Sequence, residues 1–149
     1  MTKLERAIHI DAEPADVYAK LMDPDCLGDW VTIQDELLEA PDGDLKEGSK
    51  LVQRCKVAGQ KFKLSWHVDK ADPPHKTVWS GTGPLGTKAR VTYDLAENDG
   101  GTRFTYTNEY DLPGGIAGKL AGRAVVGASG SEADRTLERL KKLIEKGAS

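Results

Sequence analysis

Gln53, Trp66, Tyr93, Tyr106, Asn108 and Tyr110 are the residues whose types and spacing suggest a site. Each falls at an alternate position of a predicted strand, on the same side as apolar neighbours. Amide, phenol and indole groups set into an apolar wall can orient a bound molecule or polarise a carbonyl. A buried amide without a protein partner is costly, so Asn108 and Gln53 are expected to meet a ligand or water. The alternative is that the tyrosine hydroxyls simply reach solvent or backbone at the sheet rim. General acid–base chemistry needs a titrating group. By the same alternation, Glu109, Asp94 and His67 point to the opposite face.

Other candidate chemistry is sparse. His9, His67 and His75 lack metal-ligand spacing, so no metal is expected. His9 alternates away from Ile8 and Ile10 and reads as a solvated strand residue. Gly81 to Gly86 spells GxGxxG, but it lies in a turn between strands, and Pro84 removes a donor that a phosphate cradle would use. No GxSxG or P-loop pattern occurs, and no cofactor is expected. Cys26 and Cys55 are unpatterned and read as reduced thiols, which fits a cytoplasmic location. Lys50, Arg54, Lys56, Lys61 and Lys63 share one strand face, which is either a solvated surface or a site for phosphate or an acidic partner.

The elements that would position these groups follow from periodicity. Alternation predicts strands over Leu4 to Asp11, Thr32 to Ala40, Ser49 to Val57, Phe62 to Val68, Thr77 to Thr82, Lys88 to Ala96 and Thr102 to Asp111. Glu13-Pro14 starts a short helix with Val17, Tyr18 and Leu21 on its apolar side, and Asp23-Pro24 ends it. Cys26, Leu27 and Trp30 form a second short turn or helix. Trp30 is then either a core anchor or a wall of the same pocket. Asn98-Asp99-Gly100-Gly101 is a strong hairpin turn. Sequential tight turns imply an antiparallel sheet with one buried and one wet face.

Only the last third of the chain can cover that buried face. From Pro113 to Lys146, Ile116, Leu120 and Ala124 form one helical stripe, and Ala133, Leu137, Leu140 and Ile144 form another. The two stripes lie about 100° apart. A bend near Gly127 to Gly130 is therefore expected, with Ser131 as an N-cap restarting the helix and Asp134 near its capping-box position. Gly118 and Gly122 remove side chains from the first half, which leaves room above the sheet. Lys119 and Arg123 interrupt this stretch, so it is not a membrane span.

Composition narrows the class further. A chain of 149 residues suits a single domain over 1–149 with a sizeable core. A net charge of −3 gives no general pull toward nucleic acid. No run of apolar residues is long enough to span a bilayer, so no integral membrane association is expected. Met1 to Arg6 lack an apolar core segment, so no signal peptide is expected.

Several stretches resemble the START/Bet v 1-like superfamily, often labelled SRPBCC, and within it the polyketide cyclase/dehydratase and lipid-transport branch. They are Ile10-Asp11-Ala12-Glu13-Pro14-Ala15-Asp16-Val17-Tyr18, Asp23-Pro24 followed by Trp30, and Asp72-Pro73-Pro74. Gly100-Gly101-Thr102-Arg103, Leu112-Pro113-Gly114-Gly115 and Leu137-Glu138-Arg139-Leu140-Lys141 complete the set. The resemblance implies an α+β helix-grip fold: a seven-stranded curved antiparallel sheet wrapped around a long C-terminal helix, with two short helices after strand 1. It also implies a hydrophobic cavity between sheet and helix, and no shared catalytic residues. The expected function is binding of a small hydrophobic or amphipathic ligand. Trp30, Gln53, Trp66, Tyr93, Tyr106, Asn108, Tyr110, Gly118 and Gly122 are the candidate lining. The alternatives are a cyclase/dehydratase-like enzyme acting on a carbonyl-containing substrate, and a protein-interaction module. Oligomeric state is not specified by the sequence.

Overall fold

The computed structural model describes residues 2–32, 34–57, 60–83, 87–111, 131 and 133–146. The chain opens with β1 (Thr2–Ile10), then α1 (Pro14–Leu21), a 3-10 turn (Pro24–Cys26) and α2 (Leu27–Trp30). Six strands follow: β2 (Gln34–Glu39), β3 (Lys50–Val57), β4 (Gln60–Asp72), β5 (Lys76–Thr82), β6 (Lys88–Asn98) and β7 (Gly101–Asp111). The C-terminal helix α3 covers 133–146.

All strand pairs are antiparallel, in the order β1-β7-β6-β5-β4-β3-β2. Strands β2 to β7 therefore run as a meander, and the two short helices carry the chain from β1 at one edge to β2 at the other. The β6–β7 hairpin turns at Asp99 and Gly100, with Asn98 paired to Gly101. Both turn residues have positive φ (49° and 77°), as a two-residue turn matching strand twist requires.

Pro14 sits at the start of α1, where its fixed φ is already helical and its missing N–H costs nothing. Val17, Tyr18 and Leu21 bury one side of that helix. Asp23 caps the next turn, its Oδ1 accepting from Asp25 N at 3.0 Å. Leu137, Leu140 and Ile144 of α3 join the core with Ile10, Trp30 and Phe104. The result is a curved antiparallel sheet gripping a C-terminal helix.

Polar contacts fix α3 to both ends of the sheet's first crossover. Arg6 Nε donates to Asp134 Oδ1 at 3.0 Å. Thr136 Oγ1 accepts from Thr32 N at 3.1 Å. Lys141 Nζ donates to His9 O at 2.6 Å and to Glu145 Oε2 at 2.9 Å. Glu145 Oε2 also accepts from Asp11 N at 2.8 Å.

Three expectations are corrected here. Strand β2 starts at Gln34 rather than Thr32, because Thr32 is held by Thr136 of α3. Strand β4 runs on to Asp72, carried past Val68 by a register shift between Val68 and Lys70. Ser131 already has helical backbone, so it is not the flanking N-cap, and the Asp134 carboxylate is engaged by Arg6. The helix start at Pro113, the stripe at Ile116, Leu120 and Ala124, and the bend at Gly127 to Gly130 lie outside the described residues, as do Gly118 and Gly122.

On the outer face, Arg54 lies opposite Lys63, and Lys56 lies opposite Lys61. The edge strand β2 answers with carboxylates. Arg54 pairs with Asp35 at 2.8 Å and with Glu36, and Lys61 lies 3.7 Å from Asp35. Strand β2 carries register shifts on both sides of its Glu36–Leu37 pairing.

Leu140 is fully buried. Leu140→Ala is expected to cost about 2–5 kcal/mol, read as a lower denaturation midpoint at unchanged slope. The Glu145 carboxyl is held below its ordinary value of 4.5, first by the Asp11 N–H and then by Lys141. Its contribution is complete above that ordinary value and is lost as pH falls through the lowered folded value. Glu145→Gln should therefore reduce stability at pH 7 and converge with the parent in urea melts at strongly acid pH.

Candidate functional site

Two cross-strand rows build the inner wall. One runs Ala71, Thr77, Tyr93, Tyr106, Arg6, and the next runs Val68, Trp79, Val91, Asn108, Leu4. Side chains opposite one another on such a face are in contact distance. Tyr93 is the hub. Its ring stacks on Phe104 at 5.6 Å, lies 5.8 Å from Tyr106, and meets Trp79 (5.6 Å) and Trp30 (6.1 Å) edge-on. Trp79 in turn meets Trp66 at 6.4 Å. Aromatic pairs in these geometries contribute about 0.5–1.5 kcal/mol each beyond area burial.

Trp30 is fully buried, as a core anchor is, and its ring packs edge-on against Tyr93. Gln53 and Trp66 form a closed polar relay: Trp66 Nε1 donates to Gln53 Oε1, and Gln53 Nε2 donates to Gln34 Oε1, both at 2.7 Å. Gln53 therefore has protein partners on both ends of its amide. Asn108 does not: its Oδ1 is buried without a hydrogen-bond partner among the described residues. Asn108 and Tyr106 are half-buried. Tyr110 continues strand β7, paired with Ala89 and Thr2.

Sequence reasoning missed three contributors. Gln34 is the far end of the relay. Thr77 is fully buried, its Oγ1 donating to Lys70 O and accepting from Trp79 Nε1, each at 2.9 Å. Gly81 gives Trp66 its place: a Cβ there would lie 2.7 Å from the indole ring. Trp66 and Gly81 are register partners, so a tight turn plus strand counting would have paired them.

The titrating chemistry is limited. Burial raises the Tyr93 phenol well above its ordinary value, with Tyr106 adding to the shift. It stays protonated at neutral pH and acts as a neutral group. Burial pushes the Cys55 thiol up to about 12, and burial followed by Asp23 raises Cys26. Neither is a thiolate nucleophile. On the outer face, Asp69 Oδ1 accepts from Ser80 Oγ at 2.9 Å and lies 2.7 Å from His67 Nδ1. The carboxylate sits between the other two, whereas nucleophile activation needs the imidazole in the middle. Among the described residues, no set of three or more His, Cys, Asp or Glu is placed to hold a metal. No described helix is long and apolar enough to cross a membrane.

A separate open groove of about 490 Å³ is lined by Ala12, Asp16, Ala19, Lys20, Asp23, Asp44 and Ile144. It includes none of the aromatic wall.

Residues 1–145 match the family model described as polyketide cyclase / dehydrase and lipid transport. The chain belongs to that family. Within sequence relatives, the polyketide cyclase/dehydrase and lipid-transport chain is 28% identical over 138 residues to an uncharacterized protein of Mycobacterium tuberculosis, covering 93% of this chain and 90% of that one. Among solved structures, it is similar to a protein of Thermus thermophilus, with a TM-score of 0.79 at 19% identity, over 99% of this chain and 100% of that one. It is also similar to a conserved protein of Geobacillus kaustophilus, with a TM-score of 0.75 at 23% identity, over 97% and 96% of the two chains. At these identities the structural likeness establishes the fold alone.

Gly81→Ala tests how the wall is seated. The added methyl must displace the Trp66 ring, so a loss of about 1–3 kcal/mol is expected together with a changed tryptophan emission maximum. Parent-like stability and emission would mean that the ring is not seated on Gly81.

Proposed function

We propose that this protein binds a small hydrophobic or amphipathic molecule in a cavity between the inner sheet face and the C-terminal helical region. One observation carries the reading. On a wall rich in aromatic and apolar residues, the Asn108 amide oxygen is buried without a partner among the described residues, next to half-buried Tyr106. A buried acceptor left unmatched costs about 1–3 kcal/mol, and a bound ligand recovers that cost. Apolar walls with a few fixed polar groups are the usual make-up of small-molecule sites. The family description, which names both cyclisation and lipid transport, supports the same ligand class. A cytoplasmic location belongs to the proposal, since Cys26 and Cys55 are both free thiols.

The three tryptophans of the chain are all buried, and all belong to the aromatic network of the wall. Their emission therefore reports occupancy. Titration with the neutral fluorophore N-phenyl-1-naphthylamine should quench tryptophan emission saturably, at one probe per chain. A folded protein whose emission shows no saturable change overturns the proposal.

A further inference from the structure

The sheet has two edges, β1 and β2, and they differ. Strand β1 pairs with β7 from Thr2 to Ile10 without a register shift. Among the described residues, no strand pairs with its other side. A regular strand with an open side can take up another strand through backbone hydrogen bonds.

The β6–β7 hairpin fixes which backbone groups face that open side. Asn98 and Gly101 flank the two-residue turn, so they form a hydrogen-bonded pair, and Gly101 directs its N–H and C=O toward β6. Successive residues of a strand direct these groups to opposite sides. Thr102, Phe104, Tyr106 and Asn108 therefore direct theirs toward β1, where Ile10, Ile8, Arg6 and Leu4 answer them. That leaves Lys3, Glu5, Ala7 and His9 with outward backbone groups. Side-chain contacts agree: His9 O accepts from Lys141 Nζ, and Asp11 N donates to Glu145 Oε2. These two contacts close the far end of the edge, and the stretch from Lys3 to Ala7 stays open. Glu5 O accepts from Arg6 Nη1 at 2.9 Å and keeps a second lone pair.

Charge selects the occupant and the register. Lys3, Glu5 and Ala7 are exposed on the outer sheet face. This stretch can pair antiparallel with itself about a two-fold axis at Leu4. Lys3 then lies opposite the partner's Glu5, and Glu5 opposite the partner's Lys3, both as hydrogen-bonded pairs. On the inner face Leu4 meets its own copy, and Arg6 meets Thr2. An axis at Lys3, Glu5 or Arg6 sets like charges against each other. An axis at Ala7 needs the backbone groups of His9 and Asp11, which are already taken. Within its own sheet Lys3 faces Glu109, which in turn faces Arg90, so in the paired edge Lys3 lies between two carboxylates.

We propose that a second copy of this chain adds its β1 to this β1, joining the two sheets across a two-fold axis through reciprocal Lys3–Glu5 pairs. The contact is the same patch on both copies, so it closes on itself. The remaining edge, β2, is broken by register shifts, and pairing stops at two copies.

Sedimentation velocity of the intact protein over a dilution series reads the assembly. The expected result is a monomer–dimer equilibrium, with the mass rising from 16.2 kDa toward twice that value as concentration increases. Glu5→Lys and Lys3→Glu each set like charges opposite one another at both pairs, and each should raise the dimer dissociation constant about tenfold or more. Combining the two reversals in one chain should recover most of that loss. Glu5 faces neutral Thr107 within its own sheet, so Glu5→Lys leaves the pairing inside the monomer unopposed, and thermal melts check that every variant is folded. A parent that stays monomeric at submillimolar concentration overturns the proposal. A dimer that the single reversals leave unchanged, or that the combined reversal fails to restore, overturns it as well.

Discussion

Tyr93 and the rings packed around it are the contact on which the inner face depends. A meander of antiparallel strands has no internal reason to curve or to choose a cover. Large side chains at alternate positions supply that reason. The Tyr93 ring touches Trp30 from the crossover helices, Trp79 from β5, and Phe104 and Tyr106 from β7. One residue thus couples the crossover helices to three adjacent strands of the sheet. Because Trp30 lies two residues before Thr32, which is bound to Thr136, the position of α3 is tied to the same cluster.

The same packing explains why polar groups on the wall have different fates. Near the β3–β4 end the sheet is closed, and Gln53 is used up between Trp66 and Gln34. On β7, Asn108 keeps an oxygen unmatched among the described residues. Residues of one chemical type, on one face, at one spacing, become structural or available according to what neighbouring strands bring.

That difference also marks how far the sequence is legible. Period-two alternation and turn residues such as Asp99-Gly100 specify strands and register locally, so the sheet order and the inner face can be read directly. The α3 stripe of Leu137, Leu140 and Ile144 is equally plain. Gln34 was hidden because β2 is short and its register shifts twice, which breaks the alternation that would assign its faces. The extension of β4 was hidden for the same reason at Val68 and Lys70. Ser131 has good capping chemistry, but its backbone is already helical, and the Asp134 carboxylate pairs with Arg6, far away in the chain. The pairing of Trp66 with Gly81 needs register across two strands, which no single window contains.

The outer surface has a consequence for how this protein behaves among its own copies. An edge strand with free backbone groups is a template for further sheet growth. Of the sheet's two edges, β2 is short, irregular and lined with Asp35 and Glu36, which are held in place by Arg54 and Lys61. A second copy approaching this edge strand to strand meets carboxylates and a broken hydrogen-bond ladder. The cationic residues of the neighbouring strands keep those carboxylates at the rim, so the sheet's end is guarded by charge already paired within the fold. Growth of the sheet through this edge is therefore opposed by both charge and geometry.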